Sequence, residues 1–144
     1  MSAVRLTVLV INITPRIAPN QRWQRHNTGQ LTSNAVILNA GQRECVEKAI
    51  RETCEFRQWN LQAVNVRTSH VHTVVVIGVK KPEIALNAFK SNSTRQMREN
   101  ECWKSDKSPW ADKGSNRFLW NERSVGLAID YVINGQGDEL PDFD

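Results

Sequence analysis

Apolar positions in the first half of the chain alternate between strand-like and helical spacing. The β-branched run Val4–Asn12 ("VRLTVLVIN") predicts a first strand. Apolar residues three and four apart over Arg43–Arg57 predict an amphipathic helix. The runs "NLQAVNVR" and "HVHTVVVIG" then predict two adjacent strands, joined by a tight turn around Thr68 and Ser69.

The second half of the chain continues this alternation and ends in one more helix. Pro82 suits the first turn of a helix that continues to Arg98, because a missing backbone N–H costs nothing there. The polar run "SDKSPWADKGSN" predicts a loop, and "RFLW" predicts a fourth strand. A last helix follows Asn121 as its N-cap and stops at Gly135 and Gly137.

This order of elements, β-α-β-β-α-β followed by a helix, predicts the fold class. It is the split βαβ pattern of a ferredoxin-like α+β domain, an antiparallel sheet with helices packed on one face. The additional C-terminal helix carries the tyrosine of the chain. The fold alone names no function.

Length and charge suggest one domain and a short tail. The 144 residues suffice for a single core, which we place at 1–137, with an acidic tail at 138–144. Without the four acids of that tail, 19 basic residues face 11 acidic ones, a balance that suits nucleic acid. The polar segment Thr14–Gln42 matches no pattern, and its role stays open.

Hydropathy and cysteine usage indicate the compartment. No apolar run approaches the ~20 residues that cross a bilayer, and the N-terminus has no signal-peptide pattern. The three cysteines, Cys45, Cys54 and Cys102, are odd in number and share no CxxC spacing. We therefore expect a reduced, cytoplasmic protein without membrane association.

Two histidines at the entrance of the third strand are the first candidates for chemistry. His70 and His72 are two residues apart, so their side chains leave the same side of a strand and can converge on one ion. Val71 points into the opposite layer. The alternative is a pair of partly exposed histidines that hydrogen-bond to neighbours.

Tyr131, the only tyrosine, is the second candidate. At 100° per residue it lies roughly 130° from the centre of the apolar stripe of the last helix. Its hydroxyl can thus reach another surface. The alternative is a flanking tyrosine with a solvated hydroxyl.

A basic track follows the second helix and the loop and strand after it. Its residues are Lys90, Thr94, Arg95, Arg98, Lys113 and Arg117. Trp103 and Trp110 are interleaved with lysines, a mixture that suits stacking of unpaired bases along phosphates. Trp59 and Trp120, beside strands, are expected in the core.

Three segments in this order, "VRTSHVHTVVV", "NAFKSNSTRQM" and "KGSNRFLWNERSVGLAIDYVINGQG", resemble the single-tyrosine HUH transposases. The narrower resemblance is to REP-associated tyrosine transposases, and it extends from Arg43 to Gly137. It implies that His70 and His72 bind a divalent metal, Mg²⁺ or Mn²⁺, and that Tyr131 is the nucleophile. The implied reaction is cleavage and transfer of single-stranded DNA through a 5′-phosphotyrosine bond.

The resemblance also implies partners and further ligands. The partners are single-stranded or hairpin DNA, gripped at its phosphates by the basic track, and a second copy of the chain in a homodimer. Gln136 is the candidate third metal ligand, because Gly135 occupies the position where some relatives have an amide or carboxylate. Ser69 stands where the family usually has asparagine. Two imidazoles by themselves suit zinc or nickel better than magnesium.

Two alternatives remain at this point. One is a non-catalytic single-stranded nucleic-acid-binding protein on the same fold; an RNA-recognition version would need aromatic residues on its central strands, which "VRLTVLVIN" and "HVHTVVVIG" lack. The other is a small metal-binding or oligomeric scaffold, which would leave the basic track unexplained.

Overall fold

The computed structural model describes residues 6–12, 37–78, 80–111, 115–119 and 122–135. In chain order the elements are β1 (Leu6–Asn12), α1 (Ala40–Arg57), β2 (Asn60–Val66), β3 (His70–Val76), α2 (Pro82–Glu99), β4 (Ser115–Leu119) and α3 (Glu122–Asn134). The predicted order of elements is confirmed. The predictions for residues 4–5, 14–36, Lys113, Trp120, Asn121, Gln136, Gly137 and the tail 138–144 lie outside the described residues.

The strands form one four-stranded antiparallel sheet in the order β2-β3-β1-β4. The central pair is β1 and β3, in which Val8 lies opposite Val74 and Val10 lies opposite His72. This is the strand order of the split βαβ pattern, so the predicted ferredoxin-like α+β fold is confirmed. None of the helices in the described ranges combines the length and hydrophobicity that crossing a bilayer requires.

The helices cover both faces of the sheet. Val71 and Val75 of β3 belong to the core formed with α1 and α2, which also contains Ile50 and Phe89. Val74, which alternates with them, packs instead with Ala63, Ala128 and Val132 under α3. The helices α1 and α2 therefore share one face as predicted, and α3 packs on the opposite face, to which His70 and His72 also point.

The helix α1 begins three residues before the predicted start because of its N-cap. The Asn39 side chain accepts a hydrogen bond from the Gln42 backbone N–H at 2.8 Å, and the Gln42 side chain accepts one from the Asn39 N–H at 2.9 Å. This capping box satisfies two otherwise unpaired donors of the first turn. The helix ends at Arg57, and its C-cap residue Gln58 adopts a left-handed conformation with φ 61°.

The strand β4 begins at Ser115, two residues before the predicted "RFLW" strand. Ser115 and Asn116, assigned to the loop from their polarity, lie opposite Val10 and Leu9 of β1. Strand pairing uses backbone groups, so polar residues at a strand end can join the ladder without an apolar pattern.

Candidate active site

Two histidines and the tyrosine meet on the α3 face of the sheet and form what we call the His–Tyr cluster, His70, His72 and Tyr131. The His70 and His72 rings lie with their centroids 4.6 Å apart. The His72 and Tyr131 rings lie 5.4 Å apart, centroid to centroid. The single tyrosine, 59 residues after His72 along the chain, is thus brought to the two histidines by the packing of α3 on the sheet.

The two histidines are buried rather than partly exposed. His72 is fully inaccessible, His70 retains 7% of its surface, and Tyr131 is half-buried. Solvent therefore reaches the His–Tyr cluster from the side of His70 and Tyr131. The Ser69 hydroxyl lies 3.0 Å from Nδ1 of His70, a hydrogen bond that fixes the orientation of that ring.

The helix α3 rests on the sheet through small and β-branched side chains. Ala128 and Val132 are fully buried against Val74 and Ala63. The helical angle of Tyr131 predicted a side chain off the packing face of α3. In the structure the ring instead packs at the margin of this contact. The ring is long enough to reach the sheet from a flanking position, and that brings it to His72.

Two polar side chains not predicted from the sequence, one at the end of β2 and one directly after it, hold the end of α3. Asn65 lies opposite His72 in the β2–β3 register and donates from Nδ2 to the Val132 carbonyl at 2.8 Å. The Arg67 guanidinium donates to the Gly135 carbonyl. The alternation of residues is a sequence signal for these two positions. Asn65 and Arg67 alternate with Val64 and Val66, which pack toward α1 and α2, so the polar side chains leave the opposite face of the sheet.

Gly135 fits closely against the tyrosine. Its backbone N–H donates to the Tyr131 carbonyl at 2.6 Å, which closes the last turn. A Cβ atom at position 135 would lie 2.4 Å from the Tyr131 carbonyl oxygen and 2.6 Å from ring atom Cδ2. A side chain at this position is therefore incompatible with the observed place of the ring.

The donor set partly fits a divalent ion. Two imidazoles on one strand face, with centroids 4.6 Å apart, are arranged so that both can ligate one cation. Within the described ranges no group of three or more His, Cys, Asp or Glu side chains could hold a metal. Further ligands would have to be amide, water or phosphate oxygens, and the candidate Gln136 lies outside the described residues.

The basic track lies elsewhere, on the outer side of α2. A groove of about 680 Å³, which we call the basic groove, is lined by Lys90, Thr94, Arg95, Arg98, Trp110 and Ala111 among others. Because α2 packs on the sheet face opposite the histidines, the groove and the His–Tyr cluster are on different sides of the sheet. Arg117 is in β4, opposite Val8 of β1.

Within the basic groove, some predicted residues have structural contacts and others face solvent. Thr94 donates to the Lys90 carbonyl at 2.9 Å, and the Trp110 indole N–H donates to the Thr94 hydroxyl at 2.8 Å. Arg95 and Arg98 are exposed; Arg95 lies 3.5 Å from Glu99. The two arginines are thus exposed basic residues of the groove, and the exposed acid Glu99 lies beside them.

The proposed stacking role of Trp110 is wrong. Its ring is 7% exposed and packs in the core with α1 and α2. Trp110 lies in a polar loop between lysines along the chain. Its indole N–H donates to the Lys90 carbonyl and the Thr94 hydroxyl of α2, which holds this loop against the helix. Trp59 is buried, at 9% exposure, as predicted.

Comparison with protein families identifies the class. The sequence profile of the family described as "Transposase IS200 like" matches residues 31–124, which include both histidines. The chain therefore belongs to the IS200-like transposase family. The matched region ends before Tyr131, so this match assigns no role to the tyrosine.

Solved structures share the fold. One is the structure of a REP-associated tyrosine transposase bound to a REP hairpin, with a TM-score of 0.57 and 13% identity. The alignment covers 91% of this chain and 66% of that one, so this chain spans slightly less than two thirds of its length. Another is a protein from Deinococcus radiodurans R1 assigned as a transposase, with a TM-score of 0.56, 13% identity and coverage of 94% and 92%. Comparison with curated proteins finds no match.

Proposed function

We propose that this protein is a metal-dependent endonuclease and strand transferase of the HUH type that acts on single-stranded DNA. The observation that carries this proposal is the meeting of His70, His72 and the sole tyrosine on one sheet face, with 5.4 Å between the His72 and Tyr131 rings. A nucleophilic hydroxyl beside two side chains that can ligate a metal suits metal-assisted phosphoryl transfer to tyrosine.

The Tyr131 hydroxyl attacks the scissile phosphorus, which breaks the bond to the 3′ oxygen of the preceding nucleotide. The products are a 5′-phosphotyrosine bond and a free 3′-hydroxyl. Because the phosphodiester energy is retained in the covalent bond, another 3′-hydroxyl can reverse the step and join strands.

His70 and His72 would hold a divalent ion, Mg²⁺ or Mn²⁺, with Gln136 as the third ligand. Bound there, the ion would supply Lewis-acid polarisation of the scissile phosphate. The Ser69 hydroxyl lies 3.0 Å from His70 Nδ1 and occupies that nitrogen, so His70 would hold the ion through Nε2. Ser69 thus takes the orienting role at the position where the family usually has asparagine.

Lys90, Thr94, Arg95, Arg98, Lys113 and Arg117 are proposed to contact the DNA backbone. The basic groove is separated from the His–Tyr cluster by the sheet, so the DNA that it holds is a flanking segment and not the scissile nucleotides. Hairpin DNA offers both parts, a duplex for the groove and a single strand for Tyr131. These contacts fix position without reading sequence.

The proposal includes the remaining expectations for the chain: one catalytic domain over 1–137, an acidic tail over 138–144, a cytoplasmic location and a homodimer. Size-exclusion chromatography with light scattering tests the dimer. The second candidate function is a non-catalytic single-stranded nucleic-acid-binding protein on the same fold, which the exposed arginines of the basic groove favour.

A denaturing-gel cleavage assay distinguishes the two functions. Labelled hairpin DNA with a single-stranded flank is incubated with Mg²⁺ or Mn²⁺ and wild type, Tyr131→Phe or the double variant His70→Ala/His72→Ala. An endonuclease gives a cleaved strand and a slower covalent adduct in wild type alone. Salt-sensitive binding without cleavage in any metal would contradict the enzyme and support the binder.

A further inference from the structure

We propose that Asn65 of β2 and Arg67, which directly follows this strand, are positioning residues that hold Tyr131 against His72. They act through the last turn of α3 and touch neither the DNA nor the ion. The inference rests on the proposed function for its catalytic consequence, but its structural content can be tested without activity.

The contacts are directed at the carbonyls that follow the tyrosine. The Asn65 amide donates to the Val132 carbonyl at 2.8 Å and to the Ile133 carbonyl at 3.4 Å. The Arg67 guanidinium donates to the Gly135 carbonyl. The last carbonyls of a helix have no partner within the helix, so these donors satisfy groups that would otherwise turn to water.

The charge of Arg67 also suits this place. Helix C-termini carry a partial negative charge, which a nearby cation stabilises. The last turn of α3 has no basic residue of its own. Arg67 thus supplies from the sheet the cation that the helix lacks, and it ties the helix end to the sheet.

The same residues are linked to the histidines through the strands. Asn65 lies directly opposite His72 in the β2–β3 ladder, and the Arg67 N–H donates to the His70 carbonyl at 2.8 Å. Both sides of the contact between His72 and Tyr131 are therefore anchored to one pair of strands. A shift of the helix end relative to β2 changes the separation of the two rings.

The close fit of Gly135 converts movement of the last turn into movement of the ring. Gly135 N–H donates to the Tyr131 carbonyl at 2.6 Å, and its α-carbon faces the ring so closely that a Cβ would lie 2.6 Å from Cδ2. Without Arg67 the turn loses one of its two external anchors, whereas Ala128 and Val132 still hold the rest of α3 on the sheet. The expected result is a folded protein with a displaced tyrosine.

The presence of one tyrosine in the chain makes a direct test simple. Protein grown with 3-fluorotyrosine should give one ¹⁹F resonance, which reports the surroundings of the Tyr131 ring. We compare wild type with Asn65→Asp, which keeps the shape but removes the donor, and with Arg67→Met, which keeps the stem but removes the charge. The rescue variant is Arg67→Lys. The control is Arg51→Met, an exposed arginine of α1 paired with Glu47 at 3.1 Å.

We expect the resonance to shift or broaden in Asn65→Asp and Arg67→Met, to return toward the wild-type position in Arg67→Lys and to stay unchanged in Arg51→Met. In single-turnover cleavage the first two variants should be slower by about 10²-fold, the effect of a misplacement of about 1 Å, with the Kd for DNA unchanged. A merely structural role would lower the melting temperature without this selective loss of rate.

An unchanged ¹⁹F resonance in both Asn65→Asp and Arg67→Met would overturn the inference, as would a Kd that rises in proportion to the loss of rate. If either variant fails to fold, the resonance of the other variant and that of Arg67→Lys decide the question. Wild-type protein that forms no DNA adduct would refute the proposed function, while the ¹⁹F comparison would still decide whether β2 positions the tyrosine.

Discussion

An added methyl group at the end of α3 should displace the proposed nucleophile. In Gly135→Ala the new Cβ lies 2.4 Å from the Tyr131 carbonyl oxygen and 2.6 Å from ring atom Cδ2. Gly78 is the only described glycine with a positive φ, so position 135 needs no left-handed backbone, and the cost arises from the contacts of the new Cβ with the carbonyl and the ring. The last turn and the ring must both move, by about 1 Å, to restore an ordinary separation of ~3.5 Å.

A matched control exists within the same helix. Gly126 is exposed, and a Cβ there meets nothing within 4 Å. Gly126→Ala should therefore stabilise the protein by about 0.5–1 kcal/mol, the usual gain in a helix interior. Gly135→Ala should destabilise it by about 1–3 kcal/mol through overpacking, so the two variants should differ by about 1.5–4 kcal/mol.

Urea unfolding followed by tryptophan fluorescence measures both free energies of unfolding, and single-turnover cleavage measures the catalytic effect. A displacement of about 1 Å at the nucleophile should slow cleavage by about 10²-fold in Gly135→Ala and leave Gly126→Ala at the wild-type rate. Equal stability and equal cleavage rates in the two variants would refute the packing of Gly135 against Tyr131.

Two further predictions concern the core and the basic groove. Burial raises the pKa of the Cys54 thiol from 9.0 to about 11, so the unfolded chain loses this proton first and stability should fall as pH rises from 9 to 11. In urea unfolding, Cys54→Ala should reduce this decline in the free energy of unfolding by up to about 1.4 kcal/mol per pH unit. Parallel pH curves for wild type and Cys54→Ala would contradict a raised pKa at Cys54. Arg95→Gln and Arg98→Gln should each make the negative slope of log K against log salt for DNA binding shallower by about 1. Arg51→Gln on α1 should leave this slope unchanged. Equal slopes in all three variants would exclude the groove as a DNA contact.

The elements were predictable because their patterns are local. Strand alternation placed His70 and His72 on one side of β3, and helical spacing gave α1, α2 and α3 within a few residues. The predicted first residues of α1 and β4 were less accurate. The start of α1 is set by the capping box at Asn39, and the start of β4 is set by pairing with β1.

The arrangement of the site depends on tertiary contacts that local patterns do not encode. Periodicity defined the apolar stripe of α3 but not the sheet face on which it packs, and that face brings Tyr131 to His72. Asn65 at the end of β2 contacts Val132, which is 67 positions further along the chain. Arg67, directly after β2, contacts Gly135, which is 68 positions further along. The burial of Trp110 has the same origin, since its polar loop folds back on α2.

The central claim is that Tyr131 forms a covalent bond with DNA, and mass spectrometry of the trapped adduct tests it most directly. The protein is incubated with hairpin DNA and Mn²⁺, treated with nuclease and digested with trypsin. Residues 124–144 contain no lysine or arginine, so trypsin releases Tyr131 in a C-terminal peptide that holds no other tyrosine. We predict that this peptide gains the mass of a nucleotide on Tyr131, and that Tyr131→Phe gives none. A nucleotide on another residue, or an unmodified peptide under conditions in which the DNA is cleaved, would contradict the account.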